Sequence, residues 1–182
     1  MLMSADRMAV AATLVFGRLA SGPLELPRSC SPAAASAIAQ FLRPVSVSVS
    51  PVDHEPRALP VGAGLCIAAE ERDHADAPEN AWGERRSFVL RSMRSDRYTG
   101  SLAGMSELSV ATNGWLHADA DGSPLAQRLP SIAVAVLYAE TLQVDEIAAP
   151  DAESDPRLAE DLRNLLASVR LGFSPLARTV AA

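Results

Sequence analysis

The chain contains no lysine, and all 16 of its basic residues are arginines. Without a lysine amine it cannot form a Schiff base with a carbonyl substrate or with pyridoxal phosphate. Nor can it supply the phosphate-binding lysine of a P-loop, so these enzyme classes are excluded. Codon usage in a GC-rich genome accounts for the bias, and selection against a modifiable amine is the alternative explanation.

Cysteine is scarce as well, since Cys30 and Cys66 are the only two. Two cysteines are too few for a disulfide scaffold, and no Cys-x-x-Cys pair is present to suggest a zinc or redox motif. A single bridge between them is one alternative. We favour two reduced, buried thiols, because free cysteine behaves as a small hydrophobic residue.

The short motifs of common enzymes are also missing. Residues 104–107 do not complete the Gly-x-Ser-x-Gly sequence of a serine hydrolase. Residues 62–67 begin as Gly-Ala-Gly but have isoleucine where a dinucleotide-binding loop has its third glycine. No cofactor is therefore expected.

Long hydrophobic runs are absent, and nothing approaches the ~18 residues that span a bilayer. The apolar run 8–16 has the length of the central region of a secretory signal. Because Gly17-Arg18 follows at once, we favour a core strand instead. We expect a cytoplasmic protein with no membrane partner.

The composition nevertheless supports a folded chain. Leu, Ile, Val and Phe make up 44 of the 182 residues, enough to form a core. The net charge of −6 argues against a nucleic-acid partner that needs a positive field. The length predicts a single domain over 1–182, with a short C-terminal tail at 174–182.

Two helices are predicted by their N-terminal residues. Ser31 followed by proline predicts a helix over 32–42, because serine accepts a backbone N–H there and proline fits the first helical position. Ser154-Asp155 followed by proline predicts another over 156–170, in which leucines recur at helical spacing.

Six segments have the composition or alternation of strands. Valine and serine alternate strictly in 45–50, which predicts a half-buried strand. Segment 131–138 favours a strand, although its alanines would also allow a helix. We therefore predict an α+β domain, whose mostly antiparallel sheet is covered by the two helices. The predicted strands are 8–16, 45–50, 64–69, 87–91, 107–118 and 131–138.

Asn113-Gly114 lies between two short apolar runs inside the segment 107–118. Asn-Gly favours a tight hairpin turn, in which both residues have positive φ. The sequence therefore predicts an antiparallel hairpin there.

Five arginines form the main basic cluster of the sequence. On a strand, Arg91 would share a face with Val89, and Arg94 would share the other face with Phe88. The cluster predicts a site for an anion or for an acidic partner surface. The alternative is internal pairing with the acidic segment 70–79. The cluster comprises Arg85, Arg86, Arg91, Arg94 and Arg97.

The three histidines, His54, His74 and His117, each lie near carboxylates in sequence. Imidazole with carboxylate is a ligand set for Zn²⁺ or Fe²⁺, but the spacing matches no compact metal motif. We regard them chiefly as solvated loop residues. No metal is expected, and the three histidines remain lesser candidates.

Three functional hypotheses follow. The first is a non-catalytic accessory protein that binds a protein partner through the arginine cluster. The second is a small metal-dependent or acid–base enzyme that uses the histidines, and the third is a module that binds a small anion. A homo-oligomer is compatible with each of them.

Overall fold

The computed structural model describes residues 4–55, 58–73 and 86–176. Its strands, in chain order, are β1 (Leu24–Cys30), β2 (Val49–Val52), β3 (Gly64–Glu70), β4 (Arg86–Arg94), β5 (Ser101–Ala103), β6 (Glu107–Thr112), β7 (Glu146–Ala149) and β8 (Gly172–Pro175). Its α-helices are α1 (Ala5–Phe16), α2 (Pro32–Phe41), α3 (Pro124–Gln127), α4 (Leu129–Leu142) and α5 (Pro156–Ala167).

The main sheet has six strands in the order β5-β6-β4-β3-β7-β8. Strand β5 runs antiparallel to β6, and every other neighbouring pair is parallel. Strands β1 and β2 form a separate parallel pair. The predicted α+β class is confirmed, but the expectation of a mostly antiparallel sheet is wrong.

The parallel arrangement has a physical cause in the central strands. Strand β3 is buried on both faces: Cys66 and Ala68 belong to one hydrophobic cluster, and Ile67 and Ala69 belong to another. Parallel strands usually have both faces covered, and they need a long crossover connection. Helix α4 lies in the connection from β6 to β7, and it packs on β3 and on α1.

Helices α2 and α5 match the two predicted helices at 32–42 and 156–170. The side chain of Ser31 accepts a hydrogen bond from the backbone N–H of Ala34, and that of Asp155 accepts one from Leu158. A polar cap followed by proline was therefore a dependable signal in this chain.

Two predicted strands are helices instead. Residues 8–16 lie in α1, and residues 131–138 lie in α4. Ile132, Ala133 and Val136 are all buried, so α4 presents apolar side chains in nearly every direction. A helix surrounded by core has no polar face, and its sequence loses the helical period that would identify it.

The predicted hairpin is also wrong. Asn113 has a negative φ of −93°, and Gly114–His117 form a short 3₁₀ helix after β6. A Cβ atom at Gly114 would lie 3.3 Å from both Pro130 Cβ and Thr112 Oγ1. Glycine therefore suits position 114 because it allows the backbone to pack closely against α4. A positive φ is not the reason, since Gly114 is not among the residues with positive φ.

Two other boundaries differ from the prediction. Strand β2 begins at Val49 and includes Pro51, so most of the segment 45–50 precedes it. Ser174 and Pro175, assigned to the tail, belong to β8, which pairs with β7.

A buried ion pair joins α1 to α4. The side chains of Arg7 and Glu140 are 1% and 6% exposed, and Arg7 Nη1 lies 3.8 Å from Glu140 Oε1. Arg7 Nη2 also donates to the carbonyl of Pro60 at 3.1 Å. Burial lowers the pKa of Arg7, although the charge of Glu140 opposes this shift.

Replacing Glu140 by glutamine should destabilise the fold strongly, because the charge of Arg7 would be left buried without a counter-charge. We expect the free energy of unfolding to fall by about 3 kcal/mol, measured by urea denaturation. Glu160→Gln is the matched control, since Glu160 pairs with Arg163 on the exposed face of α5. This substitution should change the free energy of unfolding by less than about 0.5 kcal/mol. Equal effects of the two substitutions would contradict this account.

Cys30 and Cys66 are both free and buried. Burial raises the pKa of the Cys66 thiol to about 12 and also raises that of Cys30. Only the thiolate reacts rapidly with disulfide reagents. We therefore expect a colorimetric thiol assay at about pH 8, near the pKa of an exposed thiol, to detect neither cysteine in the folded protein and both in urea. Rapid labelling of the folded protein would show that the thiols are accessible.

Candidate functional site

The order in which successive strands are added to the sheet reverses at β3. Strands β3, β4 and β6 follow one another outward on one side, and β7 and β8 then continue on the other side of β3. In open parallel sheets such a reversal leaves a crevice outside the carboxyl ends of the strands, and ligands commonly bind there. The carboxyl ends of β3 and β7 are therefore the first place to look for a site.

Three carboxylates converge on Arg128 at this point. The guanidinium contacts Asp73 through two hydrogen bonds of 2.7 and 2.9 Å. Its Nη2 lies 3.2 Å from Asp151 Oδ2, and its Nη1 lies 3.3 Å from Glu70 Oε2. Burial alone would lower the pKa of Arg128, but the carboxylates raise it on balance. We refer to Arg128, Glu70, Asp73 and Asp151 as the Arg128 cluster.

Arg91, one of the predicted binding residues, supports this cluster. Its Nη1 donates to the backbone carbonyls of Glu70 at 3.1 Å and of Asp73 at 2.6 Å. Its Nε pairs with Glu107 at 2.8 Å. Arg91 therefore fixes the loop after β3, and its guanidinium is engaged by the protein itself.

A cleft of about 290 Å³ lies next to the Arg128 cluster. Its walls come from the loop after β3, the carboxyl ends of β4 and β6, the 3₁₀ helix Gly114–His117 and the first turn of α4. Met93, Pro130 and Ala118 provide apolar surface, and Glu70 is shared with the Arg128 cluster. The cleft thus lies at the carboxyl ends of β3, β4 and β6, on one side of the reversal, and no residue of β7 lines it.

Two polar atoms of cleft residues are buried without a hydrogen-bond partner. These are Ser92 Oγ, on β4, and Trp115 Nε1, in the 3₁₀ helix. Within the part of the chain that the structure describes, the one other such atom is Nε of Arg7, which lies in the pair with Glu140. A buried donor without an acceptor costs ~1–3 kcal/mol, so two beside one cleft mark it as unusual.

Arg94, another predicted binding residue, lines the same cleft. Its guanidinium lies over the ring of Trp115, 3.9 Å from the centroid. Nε and Nη2 donate to Asp96 at 3.1 and 2.8 Å, and these hydrogen bonds raise the pKa of Arg94 and lower that of Asp96. Among the described residues, Nη1 has no partner, so one edge of the guanidinium is still available.

Arg86 and Arg97, the other predicted arginines that the structure describes, do not line the cleft. Arg97 lies 3.7 Å from Glu71, and Arg86 is exposed without an ion pair to another described residue. Arg85 lies outside the described residues. Alternation along β4 places Arg91 and Arg94 on opposite faces of the sheet, as their parity indicates. The four described arginines are therefore not gathered on one surface, and three of them pair with acids of the same chain.

The side chains of His54 and His117, the two histidine candidates that the structure describes, do not line the cleft. His54 is exposed in the loop after β2, and the ring of His117 makes an edge contact with Phe16 at a centroid distance of 4.8 Å. His74 lies outside the described residues. Over residues 4–55, 58–73 and 86–176, no group of three histidine, cysteine or acidic side chains is arranged to hold a metal ion.

Sequence reasoning missed Ser92, Trp115 and the Arg128 cluster. A signal was present: charged residues directly follow β3, and Asp151 follows β7 by two residues. That signal becomes visible only when the strands are known to be parallel, because their carboxyl ends then share one edge of the sheet.

The chain matches no protein-family model, no curated protein and no solved structure. Among the helices of the described residues, none has the length and apolar character needed to cross a membrane. Function is therefore inferred from the geometry of the cleft alone.

Replacing Arg128 by alanine should destabilise the protein, because Asp73 and Asp151, at 18% and 19% side-chain exposure, would lose their shared counter-charge. We expect a loss of about 2–4 kcal/mol in the free energy of unfolding. Arg128→Lys should recover part of it, since an ammonium keeps the charge but cannot form the two-pronged contact with Asp73. Urea denaturation of these variants is compared with that of Arg163→Ala, which removes an exposed arginine and serves as the control. If Arg128→Ala loses no more stability than Arg163→Ala, this account is wrong.

Proposed function

We propose that this protein binds a small anionic molecule in the cleft at the carboxyl ends of β3, β4 and β6. The observation that carries the proposal is that two residues lining this cleft, Ser92 and Trp115, each have a buried polar atom, Oγ and Nε1, without a hydrogen-bond partner among the described residues. Indole N–H is a donor only, and a serine hydroxyl can donate. A ligand that satisfies the indole must therefore present an acceptor atom, and the serine hydroxyl can donate to a second one.

The charged groups of the cleft favour a ligand with negative charge over one with positive charge. Nη1 of Arg94 has unused donors, and Arg72 is an exposed cleft residue without a carboxylate partner among the described residues. The acids are already engaged: Glu70 contacts Arg128 and Ser131, and Glu71 contacts Arg97 and Tyr98. Guanidinium groups recognise carboxylates and phosphates through paired hydrogen bonds.

The dimensions of the cleft limit the ligand to the size of a metabolite. A volume of about 290 Å³ is at the lower end of the ~300–1,000 Å³ typical of small-molecule sites. Apolar wall residues such as Met93 and Pro130 provide contact for a nonpolar portion of the ligand. A small carboxylate or phosphate ester fits this description.

The other functional hypotheses receive less support. A partner surface built from the arginine cluster has less support, because Arg91 and Arg94 lie on opposite faces of the sheet and Arg91 and Arg97 contact acids of the same chain. The enzyme hypothesis requires convergent histidines, and neither His54 nor His117 lines the cleft. Binding of a protein partner and assembly into a homo-oligomer remain predictions from the sequence. The two free, buried cysteines suit a reducing compartment, so we also propose a cytoplasmic location.

The proposal is tested by NMR titration of the protein with inorganic phosphate and with benzoate. The chain has two tryptophans, so Trp82→Phe assigns the indole N–H signal of Trp115. We expect this signal to shift in a saturable manner with at least one of the two anions, because the indole N–H gains an acceptor.

Sodium chloride at matched ionic strength is the control for general salt effects. Arg94→Ala should abolish the saturable shift while the protein stays folded, since Arg94 is partly exposed and packs mainly on Trp115. If neither anion shifts the Trp115 signal more than chloride does, the proposed function is wrong.

A further inference from the structure

The contact between Arg94 and Asp96 resembles the contact that an anionic ligand would make. Both oxygens of the Asp96 carboxylate accept hydrogen bonds from one edge of the guanidinium, at 3.1 and 2.8 Å. This paired geometry is the one by which arginine recognises free carboxylates and phosphates. Asp96 thus places a negative charge against the principal cation of the cleft.

Asp96 belongs to an exposed segment whose two ends are bonded to β6 through the backbone, at Ser95 and Gly100, and whose side chains make a few surface contacts with the cleft wall. Residues 95–100, which we call the β4–β5 turn, follow β4 directly and are all exposed. Tyr98 Oη donates to Glu71 Oε1 at 3.1 Å, and Arg97 Nη1 lies 3.7 Å from the same oxygen. Exposed contacts of this kind contribute little to stability, so they can rearrange when a ligand arrives.

We infer that Asp96 is an internal anion that competes with the ligand for Arg94 and lowers the affinity of the cleft. The inference rests on the proposed function. A ligand anion on the free Nη1 edge of Arg94 shares one guanidinium with Asp96, and the two negative charges repel each other. Ligand binding therefore weakens the hold of Asp96 on Arg94 and loosens the β4–β5 turn.

The alternative role for Asp96 is to position Arg94 over Trp115. The two roles predict opposite effects of the same substitution. Asp96→Asn removes the charge but keeps a carbonyl oxygen that can accept a hydrogen bond from Arg94. If Asp96 competes, the variant binds anions more tightly; if it positions, the variant binds equally or more weakly.

The experiment compares the dissociation constants of phosphate and benzoate for the natural chain, Asp96→Asn and Glu160→Gln, all measured from the Trp115 indole signal. Glu160→Gln removes the same unit of charge from an exposed ion pair on α5 and so controls for net charge. We expect Asp96→Asn to bind roughly two- to five-fold more tightly, the range expected for an exposed ion pair. Glu160→Gln should bind like the natural chain.

The outcomes separate the inference from the function on which it rests. If the natural chain binds and Asp96→Asn binds no more tightly than Glu160→Gln, the inference is wrong and the proposed function stands. If none of the three proteins binds either anion, both are wrong. As a second measurement, the Nε–H signal of Arg94 should shift when the natural chain is saturated, and an unchanged signal would count against competition at this residue.

Discussion

Arg128 is the shared counter-charge of three carboxylates at the place where the chain changes its direction across the sheet. Glu70 and Asp73 come from the end of β3, and Asp151 comes from the segment after β7. Without a cation between them, these like charges would repel one another and separate the loops that form the cleft. The first turn of α4, which immediately follows Arg128, is held at the same edge. The position of the cleft therefore depends on this one guanidinium.

Two arginines of this lysine-free chain make contacts that a lysine could not make. A guanidinium has five N–H donors in a plane, and Arg128 uses them on three carboxylates at once. Arg91 likewise reaches two backbone carbonyls and Glu107 from a single side chain. An ammonium group has fewer donors and no planar fork, so a lysine could not make either set of contacts. Whatever produced the all-arginine composition, the fold now uses properties that lysine lacks.

Parts of the structure were predictable because their signals are local. The caps at Ser31 and Asp155 specify α2 and α5 through contacts within four residues. Helices α1 and α4 were missed because they are buried against each other, and neither presents the polar face that makes a helical period visible. The direction of the strands was missed because an apolar run is compatible with parallel and antiparallel neighbours alike. The cleft follows from strand direction, so Ser92 and Trp115 could not be recognised before it was known.

Gly114 sets the distance between the aromatic wall of the cleft and the helix beneath it. A Cβ atom there would lie 3.3 Å from Pro130 Cβ and from Thr112 Oγ1, so the backbone next to Trp115 packs closely against the start of α4. Selection for new ligands can therefore vary the side chains that face the cavity, whereas a side chain at position 114 requires Pro130 or Thr112 to shift by a few tenths of an ångström. A diversified library of this site should keep that glycine constant.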